Sequence, residues 1–141
     1  MRIAFIFCLV WSAANALGCD CVPLSLNKAK AGAEVVFRGT ITDIRGGKVS
    51  FRVDRVWKGN VGRTFDMVDF EASMCLGFLP KWLQVGNDLL VFAWRLHRHP
   101  GDNDYFTGLC SHTSFASEAG DAFEKLGKGR PPRNSPQPKQ Q

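Results

Sequence analysis

Two cysteines one residue apart, in "LGCDCVPLS" (Leu17–Ser25), follow directly on an apolar leader, and two more lie far downstream at Cys75 and Cys110. No other feature constrains the fold as much. A disulfide between Cys19 and Cys21 would have to close across a single residue, against the geometry of the bond. Both N-terminal sulfurs are therefore expected to reach into the body of the chain, one to Cys75 and one to Cys110. Each bond then closes a loop of many tens of residues, contributing roughly 4 kcal/mol in the chain-entropy model.

The leader gives the reason to expect disulfides. Arg2 precedes an apolar run, Ile3–Trp11, that is too short to span a bilayer, so residues 1–18 read as a secretory signal. Small residues offer cleavage after Ala16 or after Gly18. The alternative is a lipoprotein signal that acylates Cys19, although Leu17 stands one place too late for it. Cys8 leaves with the leader, and an even set of four cysteines in a small exported domain reads as a disulfide framework. The expected product is secreted, extracellular or periplasmic, with no transmembrane segment after cleavage.

Charge divides the rest of the chain. The formal net charge is +5. Arg2 goes with the leader, and Lys128, Arg130, Arg133 and Lys139 in the tail carry the whole remaining excess, leaving the body neutral. That distribution argues against a nucleic-acid partner. The tail, residues 128–141, is basic and proline-rich and is expected to be disordered. One domain remains, residues 19–127, large enough for a single modest core.

Within it, Glu34–Ile44 and Lys48–Trp57 are rich in β-branched and aromatic residues and flank Arg45-Gly46-Gly47, a hairpin signal. Val35, Phe37 and Ile41 share one face; Val49, Phe51 and Val53 alternate with polar neighbours. The alternation slips near Arg55-Val56-Trp57, which predicts a bulge, and Gly39 permits a bend. Thr64–Phe70 reads as a third strand. Leu89–Trp94 is apolar on both faces, as expected of a strand with the core on one side and a covering element on the other. Tyr105–Leu109 is a short fifth strand. A helix capped by Ser114 or Ser117 ends at Gly127, with Phe115, Ala119, Ala122, Phe123 and Leu126 on its apolar face. The pattern predicts a mainly β fold: a small, bent, five-stranded closed barrel with one late helix.

Catalytic signatures are missing: there is no phosphate-cradling glycine loop, no His-Glu-x-x-His and no nucleophile elbow, so the chain is expected not to be an enzyme and to need no cofactor. His97 and His99 would share a face in an extended stretch, and His112 lies near Cys110, but neither spacing matches a closed zinc pattern. Trp57, Trp82 and Trp94 are expected in the core rather than on a stacking platform.

Four stretches, "CDCVP" at Cys19–Pro23, "EVVFRGTI" at Glu34–Ile41, "EASMC" at Glu71–Cys75 and "GLCSHTSFASEA" at Gly108–Ala119, resemble the N-terminal domain of the tissue inhibitors of metalloproteinases, a netrin-module family. The resemblance spans most of the chain after the leader. It implies a Greek-key OB-fold, and the pairings Cys19–Cys75 and Cys21–Cys110. It also implies inhibition of a secreted zinc metalloprotease, or binding to another extracellular protein, by a monomer. In such a mechanism the free α-amine and carbonyl of Cys19 chelate the protease's zinc; the chain itself holds no metal. Asp20 points into the pocket beside that zinc, Cys21, Val22 and Pro23 continue along the cleft, and Ser73 and Met74 fill its other side. The sequence departs from the family at Asp20, where Thr or Ser is usual, and lacks the cysteines of a third disulfide. The alternatives are a scaffold module without a protease target and an exported metal-binding protein using His97 and His99.

Overall fold

Two glycines set the hairpin from which the barrel is built. β1 (Val35–Arg45) and β2 (Lys48–Lys58) are joined by Gly46-Gly47, both at positive φ (56° and 72°). That is the two-residue turn whose twist matches antiparallel strands, and side chains are disfavoured at both positions. The structure is a computed structural model that describes residues 19–22, 24–70, 75–97 and 103–134. Residues 1–18 and 135–141 lie outside the described residues, as do Pro23, Ser73, Met74 and His99.

β3 (Thr64–Val68) pairs with Lys48–Arg52 of β2, and β4 (Asp88–Arg95) pairs with the other edge of β1. β5 (Tyr105–Phe106) and β6 (Ser114–Phe115) both pair with the outer edge of β4. The strand order β3-β2-β1-β4-β5 brings the fourth strand back beside the first, which is Greek-key topology. Phe65 of β3 and Tyr105 of β5, with ring centroids 4.9 Å apart, bridge the remaining gap. The result is a nearly closed five-stranded antiparallel barrel with a C-terminal helix and two disulfides. No helix among the described residues is long and apolar enough to cross a membrane.

The slip expected near Arg55-Val56-Trp57 is present. Phe37 pairs with Val56 while Val36 pairs with Lys58, so Trp57 is an extra residue; Asp54 is skipped in the same way between Arg55 and Val53. These bulges keep Val53 and Val56 inside the barrel and turn Trp57 outward.

The double-sided strand behaves as its composition predicts. Leu89, Val91 and Ala93 of β4 face the barrel interior with Phe37, Phe51 and Phe65. Leu90 and Phe92 face a second apolar cluster beneath two short helices. α2 (Gly120–Leu126) supplies Ala122, Phe123 and Leu126 to that cluster, and Ala119 precedes it. This helix is shorter than the sequence suggested. Ser114 lies in β6 and Ser117 in a 3₁₀ turn, so neither caps it, although it does end at Gly127.

α1 (Leu26–Gly32) was not anticipated; its short, polar sequence carries little periodicity. It is held at both ends. Ser25 Oγ accepts from Lys28 N at the start, and Lys58 Nζ donates to the Lys30 and Ala31 carbonyls at the finish. Ala29 seats the helix on the outer cluster.

Two further expectations need correction. The fifth strand is Tyr105–Phe106, not Tyr105–Leu109, because side chains take over from the ladder beyond it. Thr107 Oγ1 donates to the Phe92 carbonyl (2.8 Å) and Thr113 Oγ1 accepts from Phe92 N (3.0 Å). The chain can therefore leave β4 and return as β6 without stranding buried polar groups. The second correction concerns the tail. Residues 128–134 are docked: Arg130 and Val56 exchange both backbone hydrogen bonds at 2.8 Å, and Arg133 N donates to the Val61 carbonyl at 2.9 Å. β3 pairs only with the first half of β2, leaving the edge near Val56 open, and the tail covers it.

Candidate functional site

The two tethers converge on one end of the barrel. Cys19 bonds Cys75 and Cys21 bonds Cys110, with Cα–Cα distances of 5.5 and 5.3 Å, ordinary spacings for disulfides. The two anchors are themselves stitched together. Leu76 forms an antiparallel bridge with Gly108, Gly77 N donates to the Thr107 carbonyl (2.7 Å), and Leu109 N donates to the Cys75 carbonyl (3.2 Å). Gly108 allows this approach, since a Cβ there would lie 2.7 Å from the Cys75 carbonyl oxygen. Asp69 closes the base of the loop that carries Cys75: its Oδ1 accepts from Phe78 N at 3.0 Å.

Beneath Cys110 lies a buried hydroxyl cluster. Thr107, Ser111 and Thr113 are within 2.9 Å of one another through their side-chain oxygens, and all three are buried. Nothing in the sequence reading singled them out. Polar residues between two cysteine-bearing stretches read as loop, and only the interrupted β5–β6 ladder shows why hydroxyls are required. This cluster fixes the turn that presents Cys110 and His112. His112 adopts a left-handed backbone (φ 71°) and its Nε2 hydrogen-bonds the Leu24 carbonyl, a third tie on the N-terminal segment.

What the ties expose is apolar. Among the described residues the exposed large hydrophobics are Val22, Leu24, Leu76, Val85 and Leu109. Four of these lie on the N-terminal segment or beside its two anchors. Val22 is the most open, at 78% exposure. A shallow groove of about 300 Å³ runs among Cys21, Val22, Leu24, Leu109, Cys110 and His112. Asp20 is exposed between the two half-buried cysteines. Of the expected ridge, Cys19, Asp20, Cys21 and Val22 are thus brought together; Pro23, Ser73 and Met74 fall outside the described residues.

The other candidates are placed elsewhere. His97 Nε2 lies 3.0 Å from Glu34 Oε1, and Arg95 Nε lies 3.3 Å from Glu34 Oε2, an ion pair without hydrogen-bond alignment. The cysteines that His112 might have joined around zinc are committed to disulfides. No group of three or more His, Cys, Asp or Glu among the described residues is placed to hold a metal ion. Trp82 is in the barrel core, Trp57 stacks on Phe123 in the outer cluster, and Trp94 packs against Phe106. Arg38 is the charged side chain most firmly held: it grips Asp88 with contacts down to 2.6 Å, and that hydrogen bonding raises its pKa above the ordinary value.

No known family model matches the chain, and no curated protein matches it.

Proposed function

We propose that this protein is a secreted protein-binding module, similar to the tissue inhibitors of metalloproteinases, that inhibits a zinc metalloendopeptidase through its mature N-terminus. The observation that carries the reading is the double tether. Residues 19–22 are fastened at two alternate positions to adjoining backbone segments, so little conformational entropy is left to lose on binding. Cleavage after Gly18 would give Cys19 a free α-amine. An α-amine has a reference pKa of about 7.7–8.0, so it yields its proton to a metal cheaply at neutral pH, and amine plus carbonyl can occupy a zinc's open position. Val22 would follow along the cleft, with Leu76 and Leu109 flanking it. Asp20 sets a condition on the target: its carboxylate would enter a pocket beside the zinc and would be costly to bury without a cationic partner there.

The test compares inhibition of secreted zinc metalloproteases by protein beginning at Cys19, by the same protein with one alanine added before Cys19, and by Asp20→Thr. The added alanine displaces the chelating amine and is expected to weaken inhibition by roughly 100-fold or more, about 3 kcal/mol. An alanine-extended protein as potent as the parent would rule out chelation. The exposed apolar cluster favours a second reading, a binding module with no protease target. In that case the alanine extension is harmless, while Val22→Asp and Leu109→Asp abolish partner binding.

A further inference from the structure

A second groove begins where the groove beside Val22 ends. It holds about 550 Å³ between the start of α1 and the 3₁₀ turn that leads into α2. Leu24 and His112 line both grooves, so the two form one trough running from Val22 to Lys125. Leu26, Ala119 and Ala122 give the second half an apolar floor. Its polar walls are already committed inside the protein. Thr113 Oγ1 accepts from Phe92 N and lies within 2.9 Å of the Thr107 and Ser111 hydroxyls. His112 is held on the Leu24 carbonyl, and Ser25 Oγ accepts from Lys28 N. What remains for a ligand is the floor and three exposed charges on the rim, Glu118, Asp121 and Lys125. None of the three is ion-paired among the described residues. Two carboxylates against one ammonium make this rim acidic in a chain whose net charge is +5, and Asp20 adds an exposed carboxylate on the N-terminal segment.

We infer that the trough receives an extended peptide segment of the partner protein, with an aliphatic side chain against Leu24 and an arginine or lysine reaching Glu118 and Asp121. The inference rests on the N-terminal segment being a binding face, and not on zinc chelation. A long basic side chain suits the second half of the trough, because its aliphatic stem can lie on the Leu26, Ala119 and Ala122 floor while its head meets the carboxylates. A small-molecule ligand is ordinarily enclosed over most of its surface. Here Leu24, His112, Glu118, Asp121 and Lys125 are all exposed, and the trough continues into the groove beside Val22, which suits a chain passing along it. An acidic segment would meet like charge at the rim. The floor is fixed by the hydroxyl cluster and one wall by the His112 bond to Leu24, so little ordering is needed on binding.

The experiment uses protein running from Cys19 to Gln141 and follows its backbone amide signals as peptide is added. The probes are acetyl-Ala-Leu-Arg-Leu-Arg-Ala-amide and the same peptide with glutamine in place of both arginines. The arginine peptide is expected to shift the amides of Leu24, Leu26, Thr113 and Ala122, and to bind about 5-fold more tightly than the glutamine peptide, as two solvated ion pairs allow. In Glu118→Gln/Asp121→Asn the two peptides should bind alike. In Asp54→Asn/Glu124→Gln, which removes two exposed carboxylates outside the trough, the preference should be kept. Unchanged urea midpoints confirm that both variants fold. No shift at those amides with millimolar arginine peptide would overturn the proposal, and so would a preference that survives Glu118→Gln/Asp121→Asn. Shifts at the same amides on concentrating the protein alone, or on removing residues 135–141, would give the trough to a second copy or to the chain's own tail and overturn it equally. An alanine added before Cys19 is expected to leave the titration unchanged, so a failure of chelation and a failure of the trough are read apart.

Discussion

The two ends of the described chain are fastened to the same barrel by different means. Residues 19–22, 24 and 25 are held by two disulfides and a hydrogen bond from His112, and they display Val22 and Leu24 to solvent. Residues 128–134 are held by three backbone hydrogen bonds and by the Arg130 guanidinium on the Gly59 carbonyl, and they display cations. Covalent ties can hold an apolar segment open to water, because the bond does not depend on burying the side chains it carries. Backbone pairing alone is weaker and reversible, and it suits a segment whose exposed groups are already well solvated. The N-terminal segment is therefore stiff and the C-terminal one displaceable.

The largest effect should come from cutting the covalent end. Cys21→Ser with Cys110→Ser opens the longer loop, with a sequence separation of 89. It is expected to cost about 4–5 kcal/mol in urea unfolding, with a steeper slope because the unfolded chain is no longer cross-linked. Limited proteolysis should then cleave near Val22 in the variant and not in the parent. Gly108→Ala tests the stitching between the anchors without touching sulfur. The added Cβ meets the Cys75 carbonyl oxygen, a backbone atom that cannot swing aside, so a loss of about 3 kcal/mol is expected by the same urea measurement.

Removing the other end should cost less. A chain stopped after Gly127 loses three backbone hydrogen bonds but regains the freedom of the docked residues, for a net loss of about 1–2 kcal/mol. Hydrogen exchange should reveal the exposed Val56 amide. If truncation proved as costly as removing a disulfide, the contrast between the two ends would fail.

Arg38→Ala should change stability least, by about 1 kcal/mol or less, because the Arg38–Asp88 pair is partly exposed. Its pH dependence has a definite sign on the arginine side. The folded guanidinium pKa is raised, so its contribution is complete below the unfolded value and is lost only as pH rises through the folded one. Urea midpoints should therefore show an arginine contribution that is constant from about pH 6 to about pH 10.

The barrel was legible because its strands are written in alternation. Val49, Phe51 and Val53, the Gly46-Gly47 turn and the two-faced Leu89–Trp94 run each state their own geometry. The slip at Trp57 announced a real bulge for the same reason. What was not legible depends on the backbone or on small polar groups. The tail pairs with Val56 through main-chain atoms, so "GKGRPPRN" looks like solvated chain. α1 is specified by a serine cap and a distant lysine rather than by an apolar stripe. The Thr107–Ser111–Thr113 cluster replaces strand hydrogen bonds with hydroxyls, a substitution visible only once Phe92 is in place. Of the candidate site, the cysteine spacing pointed to two long tethers; which sulfur met which partner did not follow from spacing. The apolar surroundings contributed by Leu76 and Leu109 depended on tertiary contact and had no sequence signature.

The claim beneath the rest is that two separate sulfur bonds fasten the segment that begins at Cys19 to the barrel. Peptide mapping of the purified protein under non-reducing conditions tests it most directly. The expected result is two linked pairs of peptides, one joining Cys19 to Cys75 and the other Cys21 to Cys110. A peptide joining Cys75 to Cys110, or free thiol at Cys19 or Cys21, would contradict it.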